Sequence, residues 1–305
     1  MATLQTDAVR VLVPATCANL GPGFDTLGLA LEIRDSLTAM VTEDKGVLVE
    51  VEGQGVADVP RDATNLVVRA MALGFAALDV RPAGFVLRCT NVIPHGRGLG
   101  SSAAAIIGGL ALARALVLDG DQLLTDSDLL QLALQLESHP DNLAPALFGG
   151  FTTAWLNAGV GEWVRHEVHP DIHPIIAIPD FQVPTKQARS ALTAMVSRDE
   201  AIFNIGRSAL LVHAMTQDPA LLLPATEDRL HQEARRAMYP QSMALVDALR
   251  LTGIPAAISG AGPAVLAFGN ATVLEQVKGV AGAHWDVSRR EIAARGTLVT
   301  PVSQP

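Results

Sequence analysis

Apolar residues recur along this chain with two different periods. They alternate with polar or smaller residues in 9–13 (VRVLV), 36–41 (SLTAMV) and 47–51 (VLVEV), the pattern of half-buried β-strands. β-like runs follow at 85–93 (FVLRCTNVI), 151–156 (FTTAWL) and 175–180 (IIAIPD). Helical spacing marks 65–78 (NLVVRAMALGFAAL), a long apolar run over 101–118, and 125–137, where Thr125 and Asp128 stand at capping-box spacing. Further helices are predicted between 186 and 251 and over 272–280. A hairpin is expected at 256–268 (AAISGAGPAVLAF) and a last β segment at 295–299. Strands and helices mix without a strict βαβ rhythm, which predicts an α+β chain. The Gly-, His- and Pro-rich stretch 158–174 predicts a boundary between two domains, 1–165 and 166–305.

Composition narrows this picture. The chain has 305 residues, 49% hydrophobic and 17% charged, so it can build a substantial core. Its net charge of −9 argues against nucleic acid or an anionic membrane as partner, and any anionic ligand must be held by local positive features. Two cysteines, Cys17 and Cys89, suggest no disulfide framework, and the N-terminus lacks the basic start and apolar core of a signal peptide. The longest apolar run stops at Arg114, short of the ~20 residues a bilayer needs. A cytoplasmic protein is expected.

The sharpest chemical signal is PHGRGLGSSAA at 94–104. Helix-start N–H groups lack intrahelical partners, the helix dipole adds positive character, and glycines let backbone approach an anion. Such a loop suits a di- or triphosphate, with a hydroxyl of Ser101 or Ser102 available to Mg²⁺. A Walker loop is excluded because the stretch has no lysine. Gly98, Gly100 and Ala103 fit a dinucleotide fingerprint with Asp119 about 20 residues on, but four residues separate strand from glycine and no βαβ repeat surrounds them. A helix start without a ligand is the remaining alternative.

Two companions reduce that ambiguity: PATCANLGPGFDTLGLAL (14–31) and SGAGPAVLAF (259–268). With the glycine loop they resemble, in order, the three motifs of the GHMP small-molecule kinases. The first motif lacks the lysine of the APGKxxLxGEH version, and ESHPDNLAPALFGG (137–150) is similar to the homoserine kinase branch. The resemblance implies a ribosomal-S5-like N-terminal domain and a ferredoxin-like C-terminal domain, Mg-ATP as donor, L-homoserine as acceptor, and a homodimer serving threonine biosynthesis. It implies that Pro94, His95, Gly96, Arg97, Gly98, Leu99, Gly100, Ser101, Ser102, Ala103 and Ala104 cradle ATP. Ser102 and Glu137 match the positions implied for Mg²⁺. Asn19, Asp25, His139, Asn142, Arg189 and Arg235 match positions around the acceptor, with Thr185 at the edge. The third motif implies that Gly260 and Gly262 approach the bound substrate or phosphates. Cys17, Ser138 and Glu233-Ala234 depart from the residues usual in the branch.

The chemistry of these residue types agrees. Two arginines suit a carboxylate, Asp25 an ammonium, and Asn19, His139 and Asn142 neutral hydrogen bonds. Phosphoryl transfer depends mostly on positioning and charge neutralisation. No strong base is therefore expected, and Asp141 is read as bracing its turn. His166, His169 and His173, with Glu167 and Asp171, resemble a metal cluster, but Pro170 and Pro174 break any helix that would align them, so a solvated loop is expected.

Overall fold

A computed structural model describes residues 3–183 and 185–302. The alternating stretches become β1 (Val9–Ala18), β2 (Leu27–Thr42), β3 (Gly46–Gly53), β4 (Gly84–Asn91) and β5 (Phe151–Asn157), followed by β6 (Val160–His166). A second group comprises β7 (Pro174–Pro179), β8 (Ala256–Ile258), β9 (Val265–Phe268) and β10 (Trp285–Arg289), and β11 (Leu298–Pro301) ends the order. The first sheet runs β11-β1-β2-β4-β3, with β5 pairing β2 and β6 pairing β5. The second runs β10-β7-β9-β8. All ladders are antiparallel except β3 with β4. Parallel neighbours need a crossover, and the helix Leu66–Ala77 supplies it, capped by Asn65 Oδ1 accepting from the Val67 and Val68 N–H groups.

The helix Ser101–Ala115 packs against β1 and the helix Leu66–Ala77. It is apolar nearly all round because it is buried nearly all round. In β7 the two faces go to different cores. Ile176 and Ile178 join the main core, whereas Ile175 and Ala177 face a second one built on the helix Pro240–Leu251. A strand buried on both faces reads as a continuous apolar run, which IIAI is. The β1–β2 register shifts between Pro14 and Ala15, where Glu32 and Ile33 are extra residues on β2, so β2 bends a few residues beyond the first glycine turn.

Several boundaries differ from expectation. The first long helix ends at Ala115, and the capping-box helix is Asp126–Leu134, leaving Glu137 in the connection beyond it. The stretch 158–174 is not all loop. It contains β6, an edge strand whose Val160 and Val164 are exposed, so its apolar alternation is blurred. His166 accordingly lies in that strand, its Nε2 2.8 Å from Thr153 Oγ1. β10 was also not anticipated, for the same edge-strand reason.

Candidate active site

The glycine loop is turned inside out. Gly96, Gly98 and Gly100 take φ of 64°, 75° and 69°, which reverses successive peptide planes. As a result the carbonyls point into the protein. Gly96 O accepts from Val183 N–H, Arg97 O from Ala264 N–H, Gly98 O from Ser259 Oγ, and Leu99 O from Thr16 N–H. Among the described residues, the N–H groups of Gly96 to Ala103 find no acceptor. A cradle of donors remains. Glycine is required: a Cβ on Gly98 would fall 2.2 Å from Ser259 O, and one on Gly100 1.9 Å from Thr16 Oγ1. The loop's one cation does not face this cradle. Arg97 donates instead to Pro179 O at 2.8 Å and Asp180 O at 2.9 Å, clamping the loop to the end of β7. His95 packs beside Gly55, while Leu99, Ala103 and Ala104 are core residues.

Side chains stitch the three glycine segments together. Asn19 Nδ2 donates to Gly260 O at 2.9 Å, Gly260 N–H to Ala18 O, and Ser259 Oγ to Gly98 O at 2.6 Å. Asn19 Oδ1 also accepts the Asp25 N–H. Three non-glycine residues of this turn, Asn19, Leu20 and Asp25, hold φ of 67°, 51° and 55°, a strained backbone fastened by these bonds.

Beside the loop lies a cleft of about 570 Å³. It brings together Asn19, Asp25, Ser102, Glu137, His139, Asn142, Arg189, Arg235 and Gly260, drawn from both halves of the chain. Gly262 stands behind the wall, against Tyr239. Thr185 opens the helix Thr185–Ser190, but its side chain lies outside the described residues. Arg189 Nη2 sits 2.6 Å from Asp25 Oδ2 and also reaches His139 Nε2. His139 Nδ1 is 3.0 Å from Glu137 Oε1. The His139 hydrogen bond holds the Glu137 carboxyl below its usual range, and Glu137 in turn raises the imidazole. Arg189 and Arg235 both lie over the Phe24 ring, at 5.6 and 5.4 Å. Arg236, next in the chain, points outward to Glu233 and Asp247.

Asn142 is held by Thr16, whose hydroxyl donates to Asn142 Oδ1 at 2.7 Å and leaves the amide NH₂ free to donate. Asp141 is buried, and desolvation, then the charge of Asp25, pushes its carboxyl up to about 7. Its Oδ1 accepts the Asn142 N–H. A second cleft of about 260 Å³ reaches Ser102 from another side and includes Ser101, walled largely by Leu37, Val59, Pro60 and Leu66, with Asp35 among its lining residues. Sequence reasoning did not single out Thr16, Phe24, Asp35 or His231. The first two lie inside the quoted first motif, and no local signal marks the others. Among the described residues, no group of three or more His, Cys, Asp or Glu could hold a metal ion. Cys17 and Cys89 are free and buried.

The chain resembles known proteins in both sequence and fold. The GHMP kinases N terminal domain matches residues 65–150, and the GHMP kinases C terminal domain matches 207–286. A homoserine kinase of Streptomyces avermitilis is 48% identical over 97% of this chain and 97% of its own. One from Clavibacter michiganensis is 50% identical over 86% and 83%. The crystal structure of a homoserine kinase from Cytophaga hutchinsonii superposes with a TM-score of 0.85 at 26% identity, covering 98% of this chain and 99% of that one.

Proposed function

This chain belongs to the GHMP kinases, and within them to the homoserine kinases; from that premise we propose that it transfers the γ-phosphoryl group of ATP to the side-chain hydroxyl of L-homoserine, yielding O-phospho-L-homoserine for threonine biosynthesis. One observation carries the reading. A loop whose carbonyls face inward and whose N–H groups face outward borders a cleft equipped with two arginines and a carboxylate.

The N–H groups of Gly96 to Ser102 bind the triphosphate, and the largely apolar second cleft takes the flat base. The donor set fits Mg²⁺ as well. This ion is commonly held by one or two protein oxygens plus phosphates and water, and Ser102 and Glu137 supply such a pair on the cleft wall. When bound, it draws negative charge from the phosphates. Homoserine places its carboxylate against Arg189 and Arg235, its ammonium against Asp25 and its hydroxyl toward Asn142.

Transfer needs no strong base in this arrangement. Asn142 cannot take a proton, and its NH₂ orients the attacking oxygen by donating to it. Asp141, with a carboxyl raised to about 7, is partly protonated at neutral pH and braces the helix start through Asn142 N–H. The hydroxyl oxygen bonds to phosphorus as the bond to the leaving oxygen breaks, and its proton passes to a phosphoryl oxygen. A mevalonate-like or shikimate-like acceptor carries no ammonium and would leave the Asp25 carboxylate without its partner.

The reading extends to a cytoplasmic homodimer. Ile202 and Ile205, 60% and 70% exposed one turn apart on the helix Arg198–Thr216, support a second copy, and sedimentation measures it. Among the described residues, no helix is long and apolar enough to cross a membrane. The deciding experiment follows ADP release from Mg-ATP with homoserine, mevalonate or shikimate, with and without Arg189→Ala. Homoserine alone should be turned over, and the variant should lose it. Equal turnover of the three alcohols would refute the assignment.

A further inference from the structure

Arg235 is a buried cation without a carboxylate. It is 2% exposed, and among the described residues it forms no ion pair. Three weaker contacts hold it. Its Nε donates to Ala188 O at 2.8 Å, its Nη1 to His231 Nδ1 at 3.2 Å, and its Cζ lies over the Phe24 ring, 5.4 Å from the centroid. At the Nη end the His231 contact is the hydrogen bond formed, with the Tyr239 hydroxyl standing beside the guanidinium as a second neutral group.

His231 is itself fully buried and stacked on Phe24, with centroids 4.9 Å apart and planes 23° from parallel. Its other nitrogen, Nε2, lies 2.7 Å from Gly21 O. Both neighbours of the ring are one-sided. A carbonyl oxygen can only accept and a guanidinium can only donate. Nε2 therefore carries the hydrogen and Nδ1 the lone pair, a single neutral tautomer assigned by its partners. The backbone around it is anchored too. The Asp228 carboxylate accepts the N–H groups of Leu230, His231 and Gln232, and Asn204 Nδ2 bridges Asp228 to Pro22 O in the first glycine turn.

We propose that His231 is a positioning residue of the carboxylate site: its Nδ1 lone pair orients the Nη end of Arg235, so that the remaining N–H groups of the guanidinium meet the substrate's carboxylate. This rests on the assignment of that carboxylate to Arg189 and Arg235. A planar donor fork recognises a carboxylate only in the right orientation, and a buried arginine with no anion to align it needs a neutral acceptor to do so. The Ala188 carbonyl accepts at the Nε edge, and the Nη end takes its direction from Nδ1 of His231.

The two amide substitutions separate the functions of the imidazole. In His231→Asn the side-chain oxygen falls near the former Nδ1 and keeps an acceptor for Arg235. In His231→Gln the amide nitrogen reaches the Nε2 position and keeps only the donor to Gly21 O. Steady-state kinetics with homoserine, and with 3-aminopropan-1-ol, which is homoserine without its carboxylate, provide the test. His231→Gln should raise KM for homoserine roughly 10- to 100-fold, the range of a lost hydrogen bond to a charged group. KM for ATP, the melting temperature and kcat/KM for the amino alcohol should stay near wild type. His231→Asn should recover most of the loss. Equal losses in both variants, or equal losses with both substrates, would mean that His231 merely supports the fold, and would overturn the proposal. Arg235→Lys keeps the two levels apart. If it raises KM for homoserine while His231→Gln does not, the carboxylate site stands and the positioning role fails. If Arg235→Lys leaves KM unchanged, the site assignment itself is wrong.

Discussion

The hydroxyl of Thr16 donates to Oδ1 of Asn142 across 2.7 Å, joining β1 to the helix Pro140–Phe148 at the point where the acceptor's hydroxyl is proposed to lie. In this arrangement the amide oxygen is taken by Thr16 and the Asn142 NH₂ is the group left to donate. Thr16→Val keeps the shape and removes the donor. It should lower kcat about 10-fold, the scale of one hydrogen bond, with both KM values little changed. An unaltered kcat would show that Asn142 orients itself.

Gly100 has no room for a side chain. With φ of 69° and Thr16 Oγ1 only 1.9 Å from an added Cβ, Gly100→Ala must shift either the loop or Thr16. KM for ATP should rise at least ~10-fold, and the left-handed backbone should cost roughly 1–2 kcal/mol of stability. Calorimetric titration with an ATP analogue and a thermal melt measure the two effects separately.

Asp25 pairs with Arg189 in the structure and is assigned the substrate's ammonium. Asp25→Asn should lower kcat/KM for homoserine about 100-fold, because a charge-assisted contact becomes neutral. 4-Hydroxybutanoate, which lacks the ammonium, should be far less affected. A parallel fall with both compounds would remove Asp25 from ammonium recognition.

Asp141→Asn keeps an oxygen for the Asn142 N–H and abolishes any basicity. If transfer proceeds without a strong base, kcat should stay within about 10-fold of wild type. A fall above ~10³-fold at unchanged KM would identify Asp141 as the base.

Asp35 offers a test of stability. Burial pushes its carboxyl up to about 6 from 3.8, against the pull of the Val92 and Ile93 N–H groups on Oδ1. A pKa raised on folding means that the fold disfavours the ionised form. The penalty is absent below the unfolded value, grows from about pH 4 to 6, and is complete above that. Asp35→Asn retains the accepting oxygen and removes the charge. Urea melts should show the variant more stable by up to about 3 kcal/mol at pH 8, with the difference vanishing near pH 4. A constant difference across this range would remove the buried charge as its cause.

The sequence alone determined what depends on neighbouring residues. The Thr125–Asp128 capping box, the alternating strands and the glycine-to-helix transition at 96–101 are short-range backbone effects, and the structure contains all of them. Linked motifs likewise named Asp25, Glu137, His139, Asn142 and Arg189, which share one cleft. Tertiary structure decided where side chains point. Arg97 turns from the donor cradle to two carbonyls at the end of β7, and of the adjacent pair 235 and 236, Arg236 goes to surface carboxylates while Arg235 enters the cleft wall, held by a histidine that no periodicity marks. The edge strands β6 and β10 escaped notice for a related reason, since an edge buries too little of either face to impose alternation on its residues. Backbone propensity is written locally, whereas the destination of a long charged side chain depends on which distant carbonyl, ring or carboxylate the packing brings within about 3 Å of it.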